Sequence, residues 1–103
     1  QMGSILITGN TNAVTSNDVD GVLKDGNAVF VAIQFLEDTV FDNAGLTSAD
    51  NTIYINSSTG STGIDANGGV ETDGVTFPKG LTIYGRWTSI LLDSGKVIAY
   101  IGY

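Results

Sequence analysis

Few residues in this chain have side chains that could carry out chemistry. The chain has no His and no Cys, so the commonest general base, the commonest metal ligand and the thiol nucleophile are all missing. Ser–His, Cys–His and zinc hydrolase mechanisms are therefore excluded, and no spacing supports a Ser–Lys pair at Lys79 or Lys96. No disulfide can form either, because a disulfide needs two cysteines.

Carboxylates are the remaining candidates for acid–base chemistry. Glycoside hydrolysis needs two facing carboxyl groups, and the clustered candidates are Glu37, Asp38, Glu71 and Asp73. An acid at the end of an apolar strand is far more often solvated or hydrogen-bonded to the backbone. We therefore predict no catalytic residue, no cofactor and no enzymatic activity.

The segment Asp18-Val19-Asp20-Gly21 resembles the start of a calcium loop. Carboxylates two residues apart, followed by Gly, fold oxygen atoms around the ion in such loops. Counting from Gly21, however, the first ligand position holds Ser16 and the bidentate Glu position holds Asn27. We expect a turn here and predict no metal site.

Aromatic and cationic side chains meet in one segment, at Tyr84, Arg86 and Trp87. Such residues can stack on sugar rings or anchor an interface. Alternatively, Trp87 is the core aromatic residue of a small domain, and Arg86 pairs with a carboxylate. We assign Trp87 to the core, and Tyr84 and Arg86 to a surface or subunit contact.

Length and charge limit the partners of the protein. The 103 residues form a single domain over 1–103, and a chain of this size buries about 65% of its unfolded surface. With 4 Lys+Arg against 11 Asp+Glu and a net charge of −7, it cannot neutralise a run of phosphates. Nucleic acid and membrane are therefore not expected as partners.

Apolar residues recur with period two, and Val, Ile, Thr, Tyr and Phe are abundant, which favours strands over helices. The sequence predicts an all-β domain, a small antiparallel β-sandwich or β-barrel. A turn at Asp25-Gly26 joins two of its strands. The predicted strands are 4–8, 11–15, 19–23, 28–35, 52–56, 81–87, 88–92 and 96–101.

Strand 28–35 is the most apolar segment. Strict alternation predicts that one of its faces carries Val29, Val31, Ile33 and Phe35, and the other Phe30, Ala32 and Gln34. The acidic interruption in 36–41 indicates a bulge or a corner where the chain crosses between sheets.

The ends and the middle of the chain differ in character. Segments 88–92 and 96–101, separated by Asp93-Ser94-Gly95, predict a C-terminal hairpin. Residues 2–15 are a possible N-terminal arm. Residues 42–75 are mostly Gly, Asn, Ser, Thr, Ala and Asp and form a polar, loop-rich insertion, in which 56–69 is either an exposed tip or a ligand-binding loop.

Three segments, AIQFLEDTVF (32–41), FPKGLTIYGRWT (77–88) and SGKVIAYIG (94–102), resemble small virion structural proteins of tailed bacteriophages, especially marine and cyanobacterial phages. Together they cover about a third of the chain. The resemblance implies a capsid decoration (cement) protein located in the virion, on the outer surface of the capsid. It implies the major capsid protein and other copies of the chain, as a homotrimer, as partners.

Under this hypothesis, the residues that contact the shell or a neighbouring copy are apolar, aromatic or cationic. Segment 2–15 is the part expected to add a strand to a partner. An alternative is a tail-fibre or head-fibre tip module that binds a host receptor or glycan through Tyr54, Tyr84 and the 56–69 loop. The interface candidates are Ile5, Ile7, Phe41, Tyr84, Arg86 and Tyr100.

Overall fold

A computed structural model describes residues 3–9, 14–15, 28–49, 55, 72 and 74–102. The regular structure of these residues consists of strands, as their content of β-branched and aromatic residues predicts. The strands are β1 (Gly3–Thr8), β2 (Val14–Thr15), β3 (Val29–Phe35), β4 (Thr39–Ser48), β5 (Thr76–Phe77), β6 (Thr82–Ser94) and β7 (Lys96–Gly102).

The strands form one antiparallel sheet in the order β1-β7-β3-β6-β4-β5, and β2 also pairs with β6. The all-β prediction is confirmed. The sheet is not closed, which is consistent with a small β-sandwich.

The long strand β6 belongs to both layers of the sandwich. Its first half pairs with β3, from Thr82 opposite Gln34 to Trp87 opposite Phe30. Its second half pairs with β4, from Trp87 opposite Ser48 to Ser94 opposite Val40. Register shifts interrupt both ladders near Trp87, and such irregularities bend a strand.

The chain path requires this bend. Gly95 alone separates Ser94 from β7, and the amide of Leu36, just after β3, donates to the carbonyl of Lys96 at 2.9 Å. The last residues of β6 therefore lie close to the end of β3. The first residues of β6 pair with this same end of β3, where Thr82 lies opposite Gln34. Since an extended strand of thirteen residues would span about 43 Å, β6 must turn back over the sheet.

Side chains of both layers fill one core. Trp87 is fully buried there, as predicted. Three aromatic rings pack at one end, with centroids 5.0 Å apart for Phe35 and Phe77, 5.4 Å for Phe41 and Phe77, and 5.9 Å for Phe35 and Phe41. The core residues are Ile7, Ala28, Phe30, Ile33, Phe35, Phe41, Leu46, Trp87, Ile90, Leu92, Val97, Ala99 and Ile101.

Two chain crossings between the layers meet at Gly95. Residues 36–38 lead from β3 to β4, consistent with the predicted corner, and Thr39 Oγ1 donates to the Glu37 carbonyl at 2.8 Å. Gly95 has φ +100°, and a Cβ atom there would lie on Thr39 Oγ1 and 2.7 Å from the Thr39 Cα. Only Gly satisfies both the backbone angle and the close approach.

The predicted C-terminal hairpin is wrong. β6 and β7 follow each other in sequence, but β3 lies between them, and both pair antiparallel with β3. Asp93 and Ser94 belong to β6, so Gly95 alone forms the connection. The glycine makes a crossing between layers possible, where the sequence pattern suggested a tight turn.

Strict alternation in β3 is also wrong, because a bulge interrupts it. Against β7, Phe30 pairs with Ile101 and Ala32 pairs with Tyr100, which leaves Val31 as the extra residue. A bulge shifts the phase of alternation by one residue. Phe30 is consequently fully buried in the core together with Ile33 and Phe35, whereas Val31 is only half-buried.

The N-terminal and central segments are partly described. Gly3–Thr8 is an integral strand that pairs along its whole length with β7, so this part of segment 2–15 is not a free arm. Thr39–Ser48 extends the strand structure into segment 42–75 and buries Leu46. Several predicted features lie outside the described residues. These are the strand 19–23, the turn at Asp25-Gly26, the 56–69 loop and the strand 52–56 apart from Ile55.

Candidate binding surface

The register of four strands defines the two faces of the first layer. Ile83, Ile33, Ala99 and Ile5 lie side by side across β6, β3, β7 and β1, and all four pack in or against the core. Side chains one position further along each strand point to the opposite side. We call that side the outer face; its two rows are Tyr84, Ala32, Tyr100, Ser4 and Thr82, Gln34, Ile98, Leu6.

An open groove of about 540 Å³ lies on the outer face. Tyr84 on β6 and Tyr100 on β7 stand on either side of Ala32, which pairs with both. Tyr84 is 76% exposed, whereas Ala32 is 7% exposed and forms part of the floor. The groove is lined by Val31, Ala32, Gln34, Thr82, Tyr84 and Tyr100.

A hydrogen bond orders the polar side of the groove. The Tyr100 hydroxyl donates to Gln34 Oε1 at 3.1 Å, and this bond is partly buried. With the carboxamide oxygen as acceptor, the nitrogen of Gln34 presents two N–H donors. The Tyr100 oxygen keeps acceptor capacity beside them, and Thr82 adds a hydroxyl that donates or accepts.

The described residues that line the groove carry no charge, in a protein with a net charge of −7. An ion pair lies at the corner between the layers, where Lys96 Nζ is 3.6 Å from Glu37 Oε2. Both partners of this pair are substantially exposed, at 40% and 56% of their side-chain surface. The described lining of the groove therefore offers ring faces, hydroxyl groups and an amide, and it has no charged side chain.

The edge strand β1 is a second candidate surface. β1 lies at one end of the strand order, and within the described residues no strand pairs with its other edge. Ile7 points into the core, while Leu6 points outward and is 60% exposed. An edge of this kind presents backbone N–H and C=O groups that a further strand can pair with.

The structure places the six predicted interface residues in three different settings. Ile7 and Phe41 are 3% and 1% exposed within this single chain, so they hold the core together and do not fit the predicted interface role. Tyr84 and Tyr100 both line the groove on the outer face, and their interface role stays a prediction.

Two further interface candidates are half-buried. Ile5 packs against the core from β1. Arg86 is half-buried on β6, and its backbone carbonyl accepts from the amide of Ala49 at 2.8 Å. Its predicted pairing with a carboxylate stays a prediction.

The acidic candidates at the corner have structural contacts. Glu37 pairs with Lys96, and Asp38 Oδ1 accepts from the amide of Lys79 at 2.9 Å. Both acids are exposed, and the residues that the structure describes include no group of three acids that could hold a metal ion. Glu71, Asp73 and the segment 18–21 lie outside the described residues.

Sequence reasoning missed Gln34, Thr82 and Ala32 as members of a site. Tyr84 is identified by its aromatic side chain, and the period-two pattern places Thr82 on the same face of the strand. The position of β3 between β6 and β7, however, cannot be read from alternation alone.

The sequence also does not predict the partner of the Trp87 indole. Its Nε1 donates to the Ile55 carbonyl at 2.9 Å.

The described part of the chain contains no helix that is long and apolar enough to cross a membrane. In comparisons with known proteins, the chain gave no significant match to a family model, a curated protein or a solved structure.

Proposed function

We propose that this chain is a capsid decoration protein of a tailed bacteriophage, which binds the outer surface of the assembled head and stabilises it. The resemblance of segments 32–41, 77–88 and 94–102 to small phage virion proteins supports the class. The observation that carries the mode of binding is the outer edge of β1, which no strand of the described residues pairs with, and Leu6 is 60% exposed beside it.

Docking at this edge uses the backbone. A strand of the major capsid protein or of a neighbouring copy pairs with β1, and the new main-chain hydrogen bonds provide affinity. Leu6 adds apolar contact on the outer face. In a homotrimer the contact is heterologous, so the β1 edge of each copy pairs with a different surface of the next copy, which removes the exposed strand from solvent.

Stabilisation of the shell follows from mass action. A protein that binds the mature shell more tightly than a loosened one shifts the equilibrium toward the mature form by the difference in affinity. The net charge of −7 favours a polar or basic docking surface over an acidic one. No bond is made or broken in this function.

The edge can be tested with Leu6→Lys, since a charged side chain on an edge strand opposes further pairing. The matched control is Thr76→Lys, at an exposed position of β5 at the other end of the strand order. Shells lacking the protein are mixed with each variant, and bound copies are counted. We expect Leu6→Lys to bind at least tenfold more weakly, with an unchanged unfolding midpoint, and Thr76→Lys to bind like the unmodified protein.

Equal binding of both lysine variants would show that β1 is not the docking edge. Failure of the unmodified protein to bind any phage shell would remove the function itself. Light scattering of the isolated protein tests the trimer separately, because a monomer at micromolar concentration means that copies associate only on the shell.

The alternative role as a fibre-tip module is favoured by the exposed ring of Tyr84 and the groove beside it. Copy number in the particle separates the two roles. Hundreds of copies per particle support decoration of the shell, whereas a few dozen or fewer support a fibre tip.

A further inference from the structure

We propose that the groove between Tyr84 and Tyr100 is a binding site for one ring of a neutral saccharide. The site is distinct from the β1 edge, and the proposal holds whether the chain decorates a shell or forms a fibre tip. It rests on the spacing of the two aromatic side chains, on the polar groups between them and on the absence of charge from the lining.

The spacing of the strands sets the width of the groove. Tyr84 and Tyr100 lie on strands separated by β3, and both pair with Ala32. Two strand spacings amount to about 9.5 Å, and side chains stand roughly perpendicular to a sheet. Two stacking contacts of about 4.5–5 Å each fill this width, so one ring fits between the two tyrosines.

The small residue on the floor makes room for that ring. Ala32 is 7% exposed and has only a methyl group, whereas a larger side chain at this position would fill the space between the tyrosines. The apolar faces of a sugar ring, formed by C–H groups, can then rest on the aromatic faces, which carry partial negative charge.

The polar groups match the hydroxyl groups of a sugar. Tyr100 and Gln34 are joined by the 3.1 Å hydrogen bond, so an acceptor oxygen and an N–H donor lie side by side at the groove. Neighbouring hydroxyl groups on a sugar ring likewise each donate and accept. Thr82 adds a third group of this type.

Charge and hydrogen bonding select among ligand classes. An acidic sugar or a phosphorylated ligand needs a cation, and none is present among the described residues that line the groove, in a protein with a net charge of −7. An oligoproline peptide could also stack on tyrosines, but its proline residues offer carbonyl acceptors without N–H donors. The mixed donor and acceptor set at Tyr100, Gln34 and Thr82 favours the sugar.

The proposal is tested by NMR titration of the full, isotope-labelled chain with methyl glycosides of glucose, galactose and mannose and with lactose, maltose and cellobiose. Sugar is added to about 50 mM, since single-ring sites of this kind have Kd on the order of 1 mM. We expect at least one neutral sugar to shift the amide signals of Ala32, Gln34, Tyr84 and Tyr100, and sialyllactose to bind no more tightly than lactose.

Variants separate stacking from hydrogen bonding. Tyr84→Ala removes an exposed ring and should weaken binding at least tenfold, whereas Tyr84→Phe keeps the ring and should bind within about threefold of the unmodified protein. Gln34→Leu should weaken binding at least fivefold because the amide donors are lost. Thr76→Ala, at an exposed position on β5, is the matched control and should leave affinity unchanged. The emission of the buried Trp87 verifies that each variant is folded.

Three outcomes would overturn the proposal. These are no groove shifts with any neutral sugar, shifts that Tyr84→Ala leaves unchanged, and tighter binding of an oligoproline peptide than of every sugar. None of them bears on shell binding through β1, and a failure of the Leu6→Lys test likewise leaves the saccharide site standing.

Discussion

At the scale of single residues, Gly95 has the strictest structural requirement. Its φ of +100° lies where side chains are rarely tolerated, and Thr39 lies against the position that a Cβ would occupy. The two crossings between the layers, at 36–38 and at Gly95, touch at this point. The residue therefore determines whether β6 can lead directly into β7.

Gly95→Ala should destabilise the fold by about 3 kcal/mol, from an unfavourable backbone angle and from steric overlap. Gly80→Ala is the matched control, because Gly80 has a similar φ of +92° and nothing within 4 Å of an added Cβ. Gly80→Ala should lower the free energy of unfolding by only about 1 kcal/mol. Urea unfolding followed by Trp87 emission measures both variants, and equal losses would mean that the contact with Thr39 is not restrictive.

At the scale of elements, the bulge at Val31 decides which side chains of β3 enter the core. Phe30 is fully buried and Val31 is half-buried, the reverse of what uninterrupted alternation gives. Ala32 and Gln34 keep the face that alternation with Ile33 and Phe35 gives them, between Tyr84 and Tyr100. The extra residue thus moves Phe30 from the face of the groove into the core.

Truncation of these neighbours should therefore have unequal effects. Phe30→Ala should cost about 3–5 kcal/mol, because it leaves a cavity next to Trp87 and Ile101. Val31→Ala should cost about 1 kcal/mol or less, because its side chain is only half-buried. Denaturant midpoints provide the comparison. A larger loss for Val31→Ala than for Phe30→Ala would contradict the bulge.

At the scale of the whole molecule, the excess of acids is the main electrostatic feature. With a net charge of −7, the folded chain repels itself, and its described ion pair, Lys96 with Glu37, is exposed at 40% and 56%. Exposed pairs of this kind contribute about 0.5 kcal/mol or less. Repulsion among the acidic side chains should therefore outweigh the attraction within the Lys96–Glu37 pair.

Raising NaCl from about 10 to about 150 mM should stabilise the fold by on the order of 0.5 kcal/mol, because the screening length falls from about 30 to about 8 Å. Lys96→Met removes the described pair and should change stability at 150 mM salt by no more than about 0.5 kcal/mol. Urea midpoints at both salt concentrations test this. A midpoint that falls with added NaCl would show that attractive pairs dominate instead.

The sequence by itself determined the fold class and the burial of Trp87. Alternating apolar residues with high β propensity can bury their side chains only in sheets, so the all-β domain and the buried Trp87 followed from pattern alone. The lack of His and Cys excludes the mechanisms that need an imidazole or a thiol. The exposed Tyr84 was also predictable, since it alternates with the apolar residues of its strand.

Tertiary structure decided strand order, and through it the site. Alternation indicates which face a residue occupies but not which strand lies beside it. The hydrogen bonds between strands join backbone groups, which all residues other than Pro share. The insertion of β3 between β6 and β7 overturned the predicted hairpin and brought Tyr84, Gln34 and Tyr100 together. The Val31 bulge and the bend of β6 depend on the register between neighbouring strands, which the alternation within one strand does not show.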